Sequence, residues 1–88
     1  MSDLEFDVLD ELYFVQPYEQ LRSTLSWDDD MLRDTLEKLL DKGWIRCYIN
    51  PSEEIFKVDI DFEISYRNYF YLASKAGLFA HNSIDHDE

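Results

Sequence analysis

The chain has few cysteines, glycines and prolines. Cys47 is its only cysteine, which excludes an internal disulfide and a zinc site built from several thiolates. Two Gly and two Pro are too few for a loop-rich or disordered chain, and 45% of the residues are hydrophobic. The 88 residues therefore predict one folded domain with its own small core.

Long apolar runs are also missing. No stretch approaches the 18 or so consecutive apolar residues that a membrane-spanning helix needs. The first residues carry neither the basic segment nor the apolar run of a secretion signal. We therefore expect a cytoplasmic protein that does not bind membranes.

Basic residues are scarce: 8 Lys and Arg stand against 20 Asp and Glu, for a formal net charge of −12. Affinity for DNA comes largely from Lys and Arg that displace counterions from the phosphates. The balance therefore opposes autonomous binding to nucleic acids and to anionic membranes. Keeping the protein soluble is the simplest role for the scattered acidic residues.

Sequence signatures of catalysis are absent as well. The chain has no glycine-rich phosphate loop, no nucleophile elbow and no zinc-protease helix motif. The acidic and histidine residues near the C-terminus lie in a polar segment that is unsuited to a preformed metal site: His81, Asp85, His86 and Asp87. The sequence predicts a protein that is not an enzyme and that has no cofactor and no bound metal.

Hydrophobic periodicity predicts three helices in the first half of the chain. The first runs from Asp3 to Phe14, and the second from about Tyr18 to Thr24. The third ends at Lys42, with Ser26 as its N-cap and Gly43 as a left-handed C-cap.

The periodicity then changes from helical to the alternation of β-strands. In the run from Trp44 to Asn50, Ile45, Cys47 and Ile49 alternate with the outward-facing Trp44 and Tyr48. The residues after Asn50 carry turn chemistry.

An unbroken alternation follows from Phe56 to Tyr66, which predicts one long strand or two strands joined by a bend. Tyr69 to Ala73 forms the predicted returning strand, and Ser74 to His81 a short turn or helix that packs Leu78 and Phe79. We expect residues 1–82 to form the domain and residues 83–88 to be a disordered polar tail.

Four segments stand out by their order and spacing: Pro17 to Leu21, Leu25 to Asp28, Leu36 to Ile45 and Tyr69 to Gly77. Together they resemble the winged helix-turn-helix superfamily of bacterial transcriptional regulators, over about residues 4 to 80. The resemblance implies an α+β fold, in which a three-helix bundle precedes a β-hairpin or small antiparallel meander, the wing.

In DNA-binding members of this superfamily the third helix enters the major groove, where basic and neutral polar side chains meet the bases. The corresponding positions here hold five acids and one base: Asp28, Asp29, Asp30, Arg33, Asp34 and Glu37. The wing tip offers Glu53 and Glu54 if it lies at the first turn, or Arg67 if it lies at the second.

The sequence therefore predicts a protein-interaction module whose acidic third helix and wing bind a protein partner or a second copy of the chain. Trp44 and Tyr48 are the candidate aromatic anchors beside the six charged residues of the third helix. The alternative is a dimeric DNA-binding regulator that uses Arg33 and Arg67, and a third hypothesis is an acidic DNA mimic.

Overall fold

The computed structural model describes residues 1–83 and shows helices packed on one antiparallel sheet. This confirms the predicted α+β class. No helix in this part of the chain is long and apolar enough to cross a membrane. The helices are α1 (Asp3–Glu11), α2 (Tyr18–Leu25), α3 (Asp29–Lys42), α4 (Phe62–Ser65) and α5 (Lys75–Ser83), and the strands are β1 (Gln16–Pro17), β2 (Ile45–Asn50), β3 (Glu53–Ile55) and β4 (Phe70–Ala73). Of the predicted C-terminal tail, residues 84–88 lie outside the described residues, and Ser83 belongs to α5.

Helix α1 begins in a capping box and ends three residues earlier than predicted. Ser2 Oγ accepts a hydrogen bond from the Glu5 amide at 3.1 Å, and Glu5 Oε1 accepts one from the Ser2 amide at 2.9 Å. The helix ends at Glu11 because the Leu12 carbonyl accepts a hydrogen bond from the amide of Ala73 in β4. The backbone after Glu11 thus joins the sheet instead of continuing the helix.

Helix α3 starts and ends with two different caps. The carboxylate of Asp28 accepts a hydrogen bond from the Met31 amide at 2.8 Å and is the N-cap. The prediction of Ser26 as the cap is wrong, because Ser26 adopts a left-handed conformation and ends α2. Gly43 is confirmed as the left-handed C-cap, with φ of 74°.

The sheet has the order β1-β4-β2-β3, so β4 lies between the first two strands of the chain. Cys47 pairs with Tyr71, and both side chains are fully buried against the helices. The prediction that Ile49 points inward is wrong, since the β2–β3 register shifts next to it and its side chain is 56% exposed. The core under the sheet is formed mainly by Val8, Leu9, Leu12, Tyr18, Leu21, Leu32, Leu36, Leu39, Ile45, Cys47 and Tyr71.

The predicted strand from Phe56 to Tyr66 is wrong. Residues 56–69, here called the crossing segment, contain two 3₁₀ turns and the short α4. The reason is topological: β3 is an edge strand, and the chain must cross from it to the position of β4 between β1 and β2. Three of the six apolar residues in that alternation are therefore exposed, with 74% for Phe56, 92% for Val58 and 79% for Ile64, whereas Tyr66 is buried.

Helix α5 packs closely against the turn between α3 and β2. Ser74 Oγ donates to the Gly43 carbonyl at 2.7 Å, and the Ser74 amide donates to the Trp44 carbonyl. Gly77 is required here because a Cβ at this position would overlap the Trp44 carbonyl. Leu78 is half-buried as predicted, whereas Phe79 is 75% exposed and does not pack on the core.

Candidate functional site

The first acidic residues of α3 are held by contacts within the fold. Asp28 is the helix cap. The carboxylate of Asp29 accepts hydrogen bonds from the hydroxyls of Tyr18 at 2.5 Å and Tyr66 at 2.6 Å. The Arg67 guanidinium donates two more, at 3.2 and 2.7 Å. Asp29 thus fixes the crossing segment across the start of α3.

These contacts keep Asp29 charged. The Arg67 guanidinium, followed by the hydroxyls of Tyr18 and Tyr66, holds the pKa of Asp29 well below its ordinary value. Burial, and then the adjacent Asp29 carboxylate, raises the pKa of Tyr18. The cluster is therefore a tyrosine–carboxylate–arginine network in which the carboxylate already accepts four hydrogen bonds and has no acceptor site left for a ligand.

The other acidic residues of α3 form an exposed row, here called the acidic stripe: Asp30, Asp34, Glu37 and Asp41. At about 100° per residue, these four positions fall within about 60° of the helix circumference. They lie opposite the buried Leu32, Leu36 and Leu39, and the row is about 16 Å long at 1.5 Å per residue. The stripe therefore forms the solvent-exposed face of α3.

The two arginines that the DNA-binding alternative requires are both engaged by acids. Arg33 lies on one flank of the stripe, 3.2 Å from Asp34 and 3.3 Å from Asp30. Arg67 is bound to Asp29 at 2.7 Å. Neither guanidinium is available for a phosphate or a base without the loss of these contacts.

The two candidate aromatic anchors belong to different parts of the fold. Trp44 follows α3 and is half-buried, with the Lys42 ammonium 4.7 Å above its ring. Tyr48 lies in β2 on the face of the sheet opposite the buried Cys47, paired with Phe70 and Glu54. The structure thus divides the predicted site residues into a structural pair, an exposed stripe with Arg33, and two separate aromatics.

A groove runs beside the stripe, between α3, the β2–β3 hairpin and the crossing segment. It consists of two adjoining cavities of about 210 and 150 Å³ that share Leu40, Lys57 and Ile60 as lining residues. We call it the α3 groove. Glu37 and Asp41 belong both to the acidic stripe and to the lining of the smaller cavity. The acidic stripe and the α3 groove therefore form one surface.

Sequence reasoning missed two parts of this surface. Asp41 extends the stripe by one turn, and its spacing of four residues from Glu37 was a readable signal. The groove had no signal, because Lys57 and Ile60 were placed in a strand that does not form. Within residues 1–83, no group of His, Cys, Asp and Glu is arranged to hold a metal ion.

No protein-family model, no curated protein and no solved structure matches this chain. The case for a function therefore depends on the geometry of the α3 surface and on its charge.

Proposed function

We propose that the chain is a winged-helix-like protein-interaction module, without catalytic activity, whose α3 surface binds a basic protein partner. The acidic stripe is the observation that carries this proposal. Its four carboxylates are exposed and lie on one helix face, and among the described residues only Arg33 forms ion pairs with them, one with Asp30 and one with Asp34.

Fold stability does not explain the stripe. Like charges three or four residues apart on a helix are unfavourable by about 0.2–0.5 kcal/mol per pair. Asp34 to Glu37 and Glu37 to Asp41 are such pairs, and no basic side chain in residues 1–83 forms an ion pair with Glu37 or Asp41. The basic side chains of a partner would offset this repulsion. The negative charge of the stripe would also steer such a partner to the surface.

The resemblance to winged helices also supports α3 as the interaction surface, because the third helix is the recognition helix of that superfamily. Helix α3 would be the recognition helix, and the turn between β2 and β3 would be the tip of the wing. The crossing segment, fixed by Asp29, lies over the start of that helix, where DNA-binding members meet the bases. A basic protein surface can pair with the carboxylates of this helix, whereas the phosphates of DNA would be repelled by them.

Affinity capture tests the proposal with two matched triple variants. The stripe variant carries Asp34→Asn, Glu37→Gln and Asp41→Asn, and the control variant carries the exposed changes Asp3→Asn, Asp7→Asn and Glu53→Gln. Both remove three negative charges. We expect proteins captured by the wild type from lysate to be lost with the stripe variant, kept with the control, and released as salt rises. Equal loss with both variants would contradict a role for the stripe.

Titration against random-sequence duplex DNA at low salt tests the DNA-binding alternative. Low salt exaggerates electrostatic attraction and so favours that alternative most. We expect no change in fluorescence anisotropy. Binding that weakens with salt would instead place the DNA-binding regulator first.

A further inference from the structure

We propose that the α3 groove receives a short segment of the partner protein that carries two bulky apolar side chains flanked by Lys or Arg; this inference rests on the protein-binding function proposed above. It adds the chemistry of the bound segment and the place where its side chains dock. Three features of the groove lead to it: size, lining and charge.

The volume of each cavity is close to that of one bulky side chain. The two cavities here measure about 210 and 150 Å³. An apolar cavity of about 150 Å³ holds one benzene-sized group. Two adjoining cavities of this size therefore suit two anchor side chains of one segment.

Apolar side chains line part of each cavity, beside charged ones that include the Arg46–Glu54 ion pair of the larger cavity. Leu40 and Ile60 contribute to both, Ile45 and Ile55 to the larger and Phe62 to the smaller. Apolar surface continues along the chain on either side of Lys57, where Phe56 is 74% and Val58 92% exposed. Covering such surface with apolar side chains contributes about 25 cal/mol per Å² of area removed from water.

The charge around the groove selects a basic occupant. Glu37 and Asp41 line the smaller cavity and pair with no cation in residues 1–83. The exposed Asp59 and Asp61 flank Ile60 along the chain. Lys57 is the one cation on this rim without an acid partner in the same range, and Lys or Arg on the incoming segment would meet the surrounding carboxylates.

A second copy of the chain does not present such a segment on its surface. Its sequence has this composition at residues 38–42 and 42–46, but Leu39 and Ile45 are buried, and Lys42 and Arg46 are in ion pairs with Glu5 and Glu54. In the described part of the chain all four arginines are in ion pairs with acids. With a net charge of −12, two copies would also repel one another. The occupant is therefore a different protein.

Selection from a phage-displayed library of random twelve-residue peptides tests the inference. The full chain is the target, and enriched peptides are synthesised and titrated by fluorescence anisotropy. We expect enriched peptides to combine Lys or Arg with two bulky apolar residues. Replacing either apolar residue of such a peptide by Ala should weaken binding at least tenfold.

Variants of the chain then locate the binding site. Glu37→Lys with Asp41→Lys reverses charge on the groove rim without touching the core, and Ile60→Ala removes apolar lining from both cavities. The control is Asp3→Lys with Asp7→Lys, an exposed pair with the same four-residue spacing on α1. We expect at least tenfold weaker binding for the rim variant, a loss for Ile60→Ala, and less than twofold change for the control.

The outcomes separate this inference from the proposed function. Basic peptides without apolar anchors, bound equally by wild type and Ile60→Ala, would overturn the groove and leave the acidic stripe as a binding surface. No enrichment of basic peptides would overturn both. Since the rim residues are exposed, unchanged binding by the folded rim variant would also overturn the groove.

Discussion

Asp29 and Asp30 are neighbours of the same residue type at the start of α3, and the structure uses them in different ways. The Asp29 carboxylate accepts hydrogen bonds from two tyrosines and an arginine that come from α2 and the crossing segment. The side chain of Asp30 is 79% exposed, and among residues 1–83 its carboxylate pairs with Arg33 alone, one turn along its own helix. Neighbouring acidic residues of one helix can therefore have different roles. One holds the fold together, and the other, on the exposed face, remains available to a partner.

The largest expected effect on stability comes from replacing Asp29. In Asp29→Asn the buried Tyr18 hydroxyl and the Arg67 guanidinium lose a charged acceptor, so we expect the free energy of unfolding to fall by about 2–3 kcal/mol. A domain of this size has roughly 5–10 kcal/mol in total. Urea unfolding followed by tryptophan fluorescence measures the change.

Asp30→Asn is the matched control for that variant. Its exposed carboxylate makes one surface ion pair, so the free energy of unfolding should change by less than about 0.5 kcal/mol. If the two variants lost equal stability, the division between the two aspartates would be wrong.

The next largest effect is a change with pH in the contribution of Asp29 to the free energy of unfolding. The hydrogen bonds to Asp29 hold its pKa below the ordinary 3.8. The stability it contributes is therefore present above that pH and is lost as the pH falls towards the pKa in the folded state. The difference in unfolding free energy between wild type and Asp29→Asn should narrow as the pH falls from about 5 to about 2. A difference that stays constant would show that the charge of Asp29 is not what stabilises the fold.

Loss of the helix cap gives a smaller effect. Asp28→Ala removes the acceptor for the Met31 amide and should cost about 1 kcal/mol in urea unfolding. Asp28→Ser keeps a side-chain acceptor at the N-cap and should restore most of that loss. Equal loss for both substitutions would mean that capping is not the role of Asp28.

The smallest effect on stability is expected for the stripe variant with Asp34→Asn, Glu37→Gln and Asp41→Asn. These side chains are exposed, and relief of like-charge repulsion balances the loss of the Arg33 contact. The free energy of unfolding should stay within about 0.5 kcal/mol of the wild type. A loss of 2 kcal/mol or so would show that the stripe, like Asp29, belongs to the fold.

The helices could be predicted from the sequence because their signals are local. The third helix was predicted to end at Lys42 with Gly43 as its C-cap, and α3 ends there. The strands Ile45–Asn50 and Phe70–Ala73 followed from alternation bounded by turns. Capping was less certain, because Ser26 and Asp28 both offer an oxygen and only the backbone conformation decides between them.

The crossing segment could not be predicted because its conformation depends on distant strands. The alternation from Phe56 to Tyr66 fits a strand, but Phe62 and Tyr66 are also one helical turn apart, and their rings lie 5.4 Å apart. The position of β4 between β1 and β2 determines which pattern is used. The role of Asp29 and the existence of the α3 groove depend on this segment, so both were hidden from the sequence.

The central claim is that the position of the acidic residues on α3, and not the net charge of the chain, makes the binding surface. The most direct test is a titration of a fluorescein-labelled peptide of eight lysines against wild type, stripe variant and control variant at low salt. The two variants have equal net charge, so we predict at least about fivefold weaker binding for the stripe variant, about 1 kcal/mol, and little change for the control. Equal weakening by both variants would contradict the claim and leave the acidic residues as a general solubility feature.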